Sequence, residues 1–422
     1  MDDLSGDVER GETDEGYRGV PYARIVASRS SGNVLYVYTH AETSIAVPAK
    51  LKFTLDTPID ASSAAERIQN GVRRAAEAQH RPRRLLLVVN PASGDGQSRQ
   101  LVNKILRPFF EKLAGTQLTI VETKEGFRED GLRDALRRGD IDGCVAVGGD
   151  GVFGYLVNTV LDVFGSFPPS ICLAHVAAGS TDAVASTIAA RSPFASAVCV
   201  ALGRRSHIDY LEVTAVSGGA ETTRAAVCIS TAGFMADVIS MSEQPFYRRL
   251  GPLRNDVAGC IALVRNRSHA CDIRFVESTA HGGIPAADCS GAGCEHCLKT
   301  PTTASRGQWK SLRGEYLSVM ILNHACKSDK TPRGMNHRVH MADGAAFLVC
   351  VKSCGILRYL LFLLSMSLFG LRKHDRQIVE IIPVVDVEVR GPSAFNVDGE
   401  LVTAKDSLRV TVKHKGLPVF AK

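Results

Sequence analysis

The stretch Cys144–Asn158, CVAVGGDGVFGYLVN, decides the fold of this chain. It opens with four apolar residues that predict a buried parallel strand, and apolar residues return at helical spacing from Val152 to Val157. Between them lies the turn Gly148-Gly149-Asp150-Gly151. A strand, a glycine turn and a helix together aim backbone N–H groups and the positive end of a helix dipole at an anion, usually a phosphate. Asp150 would repel a phosphate, so it is a candidate base or metal ligand, or else a helix cap.

Similar units lie on both sides of this stretch. The apolar strand Leu85–Val89 ends at the turn Asn90–Gly96, and the strand Ile171–Val176 ends at Ala178–Asp182. Repeated strands and helices in alternation predict a parallel sheet with helices on both faces. Ligands of such sheets bind at the carboxyl ends of the strands. We therefore expect the three glycine-rich turns to line one site.

The predicted fold class is an α/β N-terminal lobe with a Rossmann-like parallel sheet, followed by a mainly antiparallel β-rich C-terminal lobe. The active site is expected in the cleft between the lobes. A length of 422 residues and a hydrophobic content of 45% suit two or three globular domains. The predicted segments are a disordered acidic tail (1–30), a segment of short strands that ends in a helix at 63–79 (31–80), the α/β domain (83–202) and the β-rich domain (203–422). An additional possibility is that the extreme C-terminus packs in the first lobe.

Composition excludes some partners and suggests a compartment. The net charge of +6 is modest and no stretch interleaves basic with aromatic residues, so we expect no nucleic-acid partner. Several of the 12 cysteines lie in apolar runs, which suits a reducing, cytoplasmic location. The apolar run Leu357–Leu371 is interrupted by Arg358 and is shorter than the ~20 residues of a spanning helix. It predicts a buried helix or, alternatively, a helix that contacts a membrane surface.

Four motifs in this order resemble the lipid-kinase family that contains sphingosine kinases, bacterial-type diacylglycerol kinases and ceramide kinases. Asn90-Pro91-x-Ser93-Gly94-x-Gly96 is similar to its first nucleotide motif and Gly148–Gly151 to its second. Gly179-Ser180-Thr181 resembles its third motif and Asp398-Gly399-Glu400 its closing motif. One glycine turn is a weak signal, but four in order over about 330 residues are a strong one.

Within the family, the ceramide kinases are the most similar branch. Thr181-Asp182 stands where sphingosine kinases usually have Gly-Asn, and Cys289, Cys294 and Cys297 resemble a ceramide-kinase cysteine cluster. Ceramide kinases also carry an N-terminal pleckstrin-homology domain, and residues 31–80 resemble only its last strands and C-terminal helix.

The resemblance implies an ATP- and Mg²⁺-dependent enzyme that phosphorylates the primary hydroxyl of ceramide, or of a related lipid, at a membrane surface. It implies peripheral membrane association, and a homodimer is a further expectation. Asp150 is the implied base, and Gly148, Gly149 and Gly151 hold phosphates or the lipid headgroup, which Asp237 also faces. Asp398 is the implied Mg²⁺ ligand. The implied nucleotide-binding residues are Asn90, Pro91, Ala92, Thr123, Lys124, Glu125, Gly126, Phe127, Gly179, Ser180, Thr181, Arg248, Arg254, Asp398, Gly399 and Glu400.

Two features leave alternatives open. Tyr155 stands where the family usually has a Glu, which suggests weaker nucleotide or metal binding. A catalytically weak relative that binds lipid or nucleotide is therefore a competing prediction, beside a kinase for diacylglycerol or a sphingoid base. The cysteines Cys289, Cys294 and Cys297 have metal-like spacing, but structural zinc usually takes four ligands. From the sequence we favour a redox-sensitive or packing role over zinc. A nicotinamide-nucleotide kinase shares the turn at Asp150 but not the C-terminal half.

Overall fold

A computed structural model describes most of the chain and divides it into two compact units. The first unit contains Met1–Ser180, Ile188–Ser206 and Pro418–Lys422, and the second contains Thr181–Thr187 and His207–Leu417. The described residues are 12–13, 16–17, 20–21, 24–41, 44–55, 57–78, 80–93, 96–124, 131–179, 181–189, 192–279, 294, 296–297, 306–328, 331–336, 338–372 and 375–421.

The first unit begins with two small antiparallel sheets and a helix. The strands are β1 (Glu12–Thr13), β2 (Gly16–Tyr17) and β3 (Val20–Pro21) in one sheet, then β4 (Ala27–Ser31), β5 (Val34–Ala41) and β6 (Ser44–Thr54) in the other; helix α1 is Pro58–Ala78. Strands β1 to β4 overlap residues 1–30, which the sequence predicted as a tail. Pairing with β5 from Ser31↔Val34 to Ala27↔Tyr38 explains β4. Helix α1 begins earlier than predicted because Oγ1 of Thr57 accepts a hydrogen bond from the backbone N–H of Asp60.

After α1 the chain alternates strands and helices. The elements are β7 (Arg84–Val89), α2 (Gln97–Leu101, continued by π-helical turns Val102–Leu106 and Pro108–Leu113), β8 (Gln117–Glu122), α3 (Leu132–Arg137), β9 (Gly143–Gly148), α4 (Asp150–Phe164), β10 (Cys172–Ala177), α5 (Ala183–Ala189, counted with the second unit up to Thr187) and α6 (Pro193–Ala201). The four strands are parallel in the order β8–β7–β9–β10. Every residue of β9 and β10 is buried, as expected for central strands covered on both faces.

Residues near the end of the chain also belong to the first unit. Val419 pairs in parallel with Leu173 of β10. Phe420 is buried in the same core as β7, β9 and β10, and its ring packs against Gly143, where an added Cβ would lie 2.7 Å from Cε2. The first unit is therefore completed by residues far from it in sequence.

The second unit is mainly antiparallel. Its elements are β11 (Arg205–Ser217), β12 (Ala220–Ala226), β13 (Ile229–Gly233), α7 (Phe234–Ser242), α8 (Pro245–Arg248), α9 (Arg254–Arg265), β14 (His269–Ser278), β15 (Arg306–Leu322), β16 (Ala346–Lys352), α10 (Ile356–Phe369), β17 (Val379–Arg390), β18 (Ala394–Val397), β19 (Glu400–Thr403) and β20 (Ser407–Phe420). The two long strands β15 and β17 each pair with β14 along one half and with β16 along the other. The predicted fold class, a parallel α/β lobe and a mainly antiparallel lobe, is confirmed.

A buried carboxyl group joins three segments of the second unit. The Oδ1 of Asp209 accepts a hydrogen bond from the backbone N–H of Lys415 (2.7 Å), and its Oδ2 accepts one from the N–H of Gly344 (2.6 Å). The backbone N–H of Asp209 in turn donates to the carbonyl of Met341 at 2.8 Å. Burial raises the pKa of Asp209 from 3.8 to about 8. Strands β11 and β20 and the segment before β16 are thus held together at one side chain.

Helix α10 has 14 residues, and across the described part of the chain no helix combines the length and the apolar character that crossing a bilayer requires.

Candidate functional site

Three predicted turns meet at the carboxyl edge of the parallel sheet. The backbone N–H of Asn90, after β7, donates to the carbonyl of Val147 in β9 at 3.1 Å. The N–H of Ala178, after β10, donates to the carbonyl of Gly148 at 3.0 Å. A Cβ added to Gly149 would lie 3.4 Å from the Cα of Gly179, so these turns are in direct contact. The register of the sheet therefore brings these three turns together at one edge.

Gly148 ends β9 in a place that no larger residue fits. Its φ is +157°, and an added Cβ would lie 2.7 Å from Cγ2 of Val152 and 3.0 Å from Oγ of Ser93. The turn after β7 thus packs directly on the turn after β9. In that first turn, Oδ1 of Asn90 accepts a hydrogen bond from the N–H of Ala92 at 3.0 Å, which fixes the bend around Pro91.

Asp150 is the first residue of the 15-residue helix α4, with Gly149 as its N-cap and Gly151 next in the first turn. Its side chain is 18% exposed, so the carboxyl group is reachable but largely enclosed. The N-terminus of a helix carries unpaired backbone N–H groups and a partial positive charge, which favour an anion there. A carboxylate and an anion-binding backbone therefore occupy the same few residues.

His175 is the site residue that sequence reasoning missed. It lies in the apolar run of β10 and is fully buried, and in the sequence nothing distinguishes it from an ordinary strand-end residue. Its Nε2 is 2.9 Å from the carbonyl oxygen of Gly148, which can only accept, so Nε2 carries the proton. Nδ1 then faces Asp150, 3.8 Å from Oδ1. Phe153 stacks on the ring with a centroid separation of 5.4 Å, which holds the imidazole in this orientation.

The other predicted nucleotide residues of the first unit are only partly described. Thr123 is buried and follows β8, and its N–H donates to the carbonyl of Val89 at 2.8 Å, which brings it to the edge where β7 ends. Lys124 is exposed beside it. Thr181 is exposed and is counted with the second unit. The residues that lie outside the described part of the chain are Glu125, Gly126, Phe127 and Ser180.

Tyr155 lies in α4, five residues after Asp150, and is partly buried. Its backbone carbonyl accepts a hydrogen bond from Oγ1 of Thr159 at 2.8 Å. The helix is regular here, so the replacement of the family's usual Glu changes the side chain and not the backbone.

Asp398, in the turn between β18 and β19, binds backbone amides. Its Oδ1 accepts hydrogen bonds from the N–H groups of Cys228 (3.0 Å) and Ile229 (2.8 Å), and its Oδ2 accepts one from Val227. The N–H of Gly399 donates to Oδ1 of Asn396 at 2.8 Å, which closes the turn. The carboxylate therefore anchors this hairpin to the start of β13.

Magnesium binds hard oxygen ligands and usually keeps several waters. The three amides occupy three of the roughly four lone-pair positions of the Asp398 carboxylate. Glu400, with a side chain that is 44% exposed, pairs with Arg224 at 2.7 Å. Asp398 therefore fits poorly as a direct ligand of the ion, whereas Glu400 keeps an accessible carboxylate.

The two predicted phosphate-binding arginines converge on one carboxylate. Arg248 forms an ion pair with Oε2 of Glu243, and Nη1 of Arg254 lies 3.3 Å from Oε1 of the same residue. All three side chains are at least one-third exposed. Two guanidinium groups on one oxyanion form the type of arrangement that also binds a phosphate.

Asp237 lies in the first turn of α7, and its Oδ2 is hydrogen-bonded to Nε2 of His269 at 2.9 Å. A pocket of about 210 Å³ opens beside it. Arg265 and Arg267 also line this pocket, together with Gln244. The pocket offers polar and cationic groups to a ligand with hydroxyl or phosphate oxygens.

Helix α10 is apolar on both faces. Tyr359, Phe362 and Met366 are buried against the second unit. The opposite side of the helix carries a stripe of leucines at helical spacing, and at least half of each side chain is exposed to solvent. The exposed fractions are 70% for Leu357, 58% for Leu361, 50% for Leu364 and 60% for Leu368. Further exposed apolar side chains lie in and around α8 and α9, namely Phe246, Leu250, Leu253 and Val264. Large exposed apolar surfaces of this type mark sites of contact with membranes or other proteins.

The cysteine cluster is partly described. Cys294 and Cys297 are buried beside His340, whereas Cys289 lies outside the described residues. His340 was not predicted because it lies 43 residues from Cys297 in sequence.

Parts of this chain are similar to known lipid kinases. Residues 84–213 match the diacylglycerol kinase catalytic domain. Over 315 residues the chain is 25% identical to a ceramide kinase of Homo sapiens, a match that covers 67% of this chain but 57% of the human protein. It is 25% identical to sphingosine kinase 2 of Arabidopsis thaliana, over 82% of this chain and 78% of that one.

A solved diacylglycerol kinase of Bacillus anthracis has a similar fold, with a TM-score of 0.52 and 14% identity over 81% of this chain and 97% of that one. Residues 84–213, which match the catalytic domain in sequence, contain β7, β9 and β10 with the turns that meet at Asp150. This region of the chain is therefore similar to a diacylglycerol kinase catalytic domain.

Proposed function

We propose that this protein is an ATP-dependent lipid kinase that transfers the γ-phosphoryl group to the primary hydroxyl of ceramide. The observation that carries the proposal is the position of Asp150 at the N-terminus of α4, at the edge of the sheet where the glycine turns meet. One short segment thereby combines a carboxylate base with backbone N–H groups suited to phosphate. The match of residues 84–213 to a kinase catalytic domain supports this assignment.

In the proposed reaction, the lipid hydroxyl oxygen attacks the γ-phosphorus while Asp150 accepts the hydroxyl proton and ADP leaves. Phosphoryl transfer needs in-line positioning and neutralisation of charge more than covalent help. The amides of Gly149 to Gly151 and the positive end of α4 supply part of that neutralisation. Asn90 and Thr123, which end β7 and β8 beside this turn, are proposed to contact the nucleotide.

His175 is proposed as a positioning residue for Asp150. Its Nε2–H donates a hydrogen bond to the carbonyl of Gly148, and its Nδ1 lies 3.8 Å from the carboxylate of Asp150. These two contacts would hold the carboxylate of Asp150 in position for the lipid hydroxyl.

In phosphoryl-transfer enzymes, magnesium ions neutralise the negative charge of the phosphates. We propose that the ion is held mainly by ATP oxygens and water, with Glu400 as the accessible carboxylate of the closing motif. Asp398 is proposed to hold the hairpin that carries Glu400. Arg248 and Arg254 are proposed to exchange their contact with Glu243 for a phosphate.

The lipid side of the proposal rests on separate features of the second unit. The exposed leucine stripe of α10 is suited to insertion among acyl chains, and an interfacial apolar face of this size supports peripheral membrane binding. Asp237 and its pocket are proposed to bind the polar headgroup. Ceramide is favoured over diacylglycerol and sphingoid bases by the similarity to a human ceramide kinase.

A catalytically weak relative that binds lipid or nucleotide is the second candidate function. Tyr155 favours it, because a phenol cannot supply the negative charge of the Glu usual at this position. This protein would keep the phosphate turn and the apolar helix but transfer phosphate slowly.

A substrate screen tests both candidates. Purified protein would be offered ATP with a labelled γ-phosphate and Mg²⁺, together with ceramide, sphingosine or diacylglycerol in mixed micelles. We expect labelled ceramide 1-phosphate as the main product. Preferential labelling of another lipid would reassign the substrate, and the absence of any labelled lipid beside intact ATP binding would favour the second candidate.

A further inference from the structure

We propose that Cys294, Cys297 and His340 form a structural zinc site in the second unit. The three side chains have mutually close ligand atoms, all within 4.8 Å of one another. None of the three is among the residues assigned to phosphoryl transfer. The inference therefore holds or fails independently of the proposed kinase activity.

The interatomic distances match tetrahedral coordination. The Nδ1 of His340 is 3.3 Å from Sγ of Cys294 and 3.7 Å from Sγ of Cys297. Zinc bound at about 2.3 Å from sulfur and about 2.0–2.1 Å from nitrogen, at the tetrahedral angle, separates these two ligand atoms by about 3.6 Å. The two sulfurs and the nitrogen all lie within 4.8 Å of one another, so one ion could take these three protein ligands, with a water molecule as the fourth ligand.

The donor set selects the metal. Two thiolates with one imidazole suit zinc, whereas Mg²⁺ and Ca²⁺ prefer oxygen ligands. The residues Cys294-x-x-Cys297 have the spacing at which both sulfurs of a turn bind one zinc ion. The exposed fractions are 5% for Cys294, 3% for Cys297 and 2% for His340, so the site is shielded from solvent as structural zinc sites are.

The backbone that follows His340 is anchored by hydrogen bonds that do not depend on a metal. The next residue, Met341, accepts a hydrogen bond through its carbonyl from the N–H of Asp209, and Gly344 donates to the carboxyl group of Asp209. A prepositioned ligand lowers the entropic cost of metal binding. Zinc would thus fasten the segment that carries the two cysteines to the frame formed by β11 and β20.

The histidine within the cysteine motif has a different environment. The Nε2 of His296 lies 3.5 Å from Oδ2 of Asp343, and its ring is tilted by 49° to the ring of His340, with centroids 4.4 Å apart. His296 is therefore assigned to the surroundings of the site and not to the metal. This gives a matched control, because one imidazole is a ligand and its neighbour is not.

The test is elemental analysis of the full-length protein, purified without chelator or affinity metal. We expect about one zinc per chain, the stoichiometry of a single site. Cys294→Ser, Cys297→Ser and His340→Gln should each reduce zinc to less than about one-tenth of that value and lower the melting temperature. His296→Gln and Cys326→Ser, a substitution of a buried thiol outside the cluster, should retain the zinc.

Cobalt provides a readout that does not depend on stability or activity. Protein stripped of zinc and reconstituted with Co²⁺ should show thiolate-to-cobalt charge transfer and the intense d–d bands of a tetrahedral site, which zinc then abolishes. Protein without zinc that gains no such spectrum, or whose Cys294 and Cys297 are joined in a disulfide after anaerobic purification, would overturn the proposal. Loss of zinc in His296→Gln but not in His340→Gln would also overturn it.

Discussion

The Nδ1 atom of His175 lies 3.8 Å from Oδ1 of Asp150, while the opposite ring nitrogen donates a hydrogen bond to the carbonyl of Gly148. Both ends of the imidazole are thus directed at the turn between β9 and α4. We propose that the buried histidine holds the carboxylate of Asp150 in position through these contacts. The first predictions concern these two residues.

Replacement of Asp150 by Asn should reduce phosphoryl transfer by about 10²- to 10⁴-fold, the usual contribution of a general base. Nucleotide affinity should change little, because the backbone of the turn is unaltered. Initial rates with ceramide and equilibrium binding of a fluorescent ATP analogue would measure the two effects. Asp162→Asn, an exposed carboxylate on the same helix, is the control and should remain active. Full activity of Asp150→Asn would refute the assignment of the base.

Replacement of His175 by Gln should lower kcat by about 10- to 100-fold, since small misplacements of a catalytic group have effects of this size. KM for ATP should change less. Ser196→Ala removes the hydroxyl that donates to the carbonyl of His175 at 2.8 Å and serves as a control for local packing. A kcat of His175→Gln equal to that of the wild type would refute the positioning role.

Tyr155→Glu should raise the affinity for nucleotide or for Mg²⁺ several-fold if the family's usual carboxylate is the missing contact. Tyr155→Phe is the matched control, because it keeps the ring and adds no charge. Isothermal titration with ATP at fixed Mg²⁺ would compare the three proteins. Equal affinities for Glu and Phe variants would mean that another residue supplies the contact.

Substitution of Leu357, Leu361, Leu364 and Leu368 by Ser should weaken binding to lipid vesicles and slow the phosphorylation of lipid presented in them. The melting temperature should remain close to the wild-type value, since these side chains are mostly exposed. A second variant, Tyr359→Ser on the buried face, should instead destabilise the protein. Vesicle co-sedimentation measures the first effect, and unchanged sedimentation would remove α10 from the membrane-binding surface.

The stability of the protein should fall as the pH rises toward the pKa of Asp209. Folding raises this pKa from 3.8 to about 8, so the folded state favours the protonated form. The corresponding contribution to stability is complete below pH 3.8 and is lost as the pH rises through about 8. Melting temperatures from pH 5 to about 9 should decline more steeply for the wild type than for Asp209→Asn.

The control for Asp209 is Asp406→Asn, which alters a carboxylate with a backbone contact to Gly218 in an exposed position. Its melting curve should follow the wild-type pH dependence. If Asp209→Asn kept the same slope, another group would be responsible for the decline.

The sequence predicted the parallel lobe well because its strands are continuous apolar runs that end in glycine turns. Asn90, Gly148 and Gly179 could therefore be assigned to one edge before any coordinates were known. His175 could not, because an imidazole in an apolar run carries no sign of what it faces across the turn. His340 was missed for another reason, since only the tertiary fold brings it beside Cys294 and Cys297.

Boundaries in the second unit were less predictable. The sequence pattern of Thr223–Ser230 is that of one continuous strand, but the chain leaves β12 at Ala226 and enters β13 at Ile229. The amides between these strands bind Asp398, which lies about 170 residues away in sequence. A contact between residues so far apart in the sequence cannot be inferred from local secondary-structure propensity.

The return of Pro418–Lys422 to the first unit has a practical consequence for protein engineering. A fragment cut after residue 206 would contain every strand that the family match covers in the parallel sheet, yet its core would lack Phe420 and β10 would lose the partner at Val419. Such an open edge promotes association between copies. A soluble minimal fragment should therefore carry residues 418–422 on a short linker, and affinity tags are better attached at the opposite end of the chain.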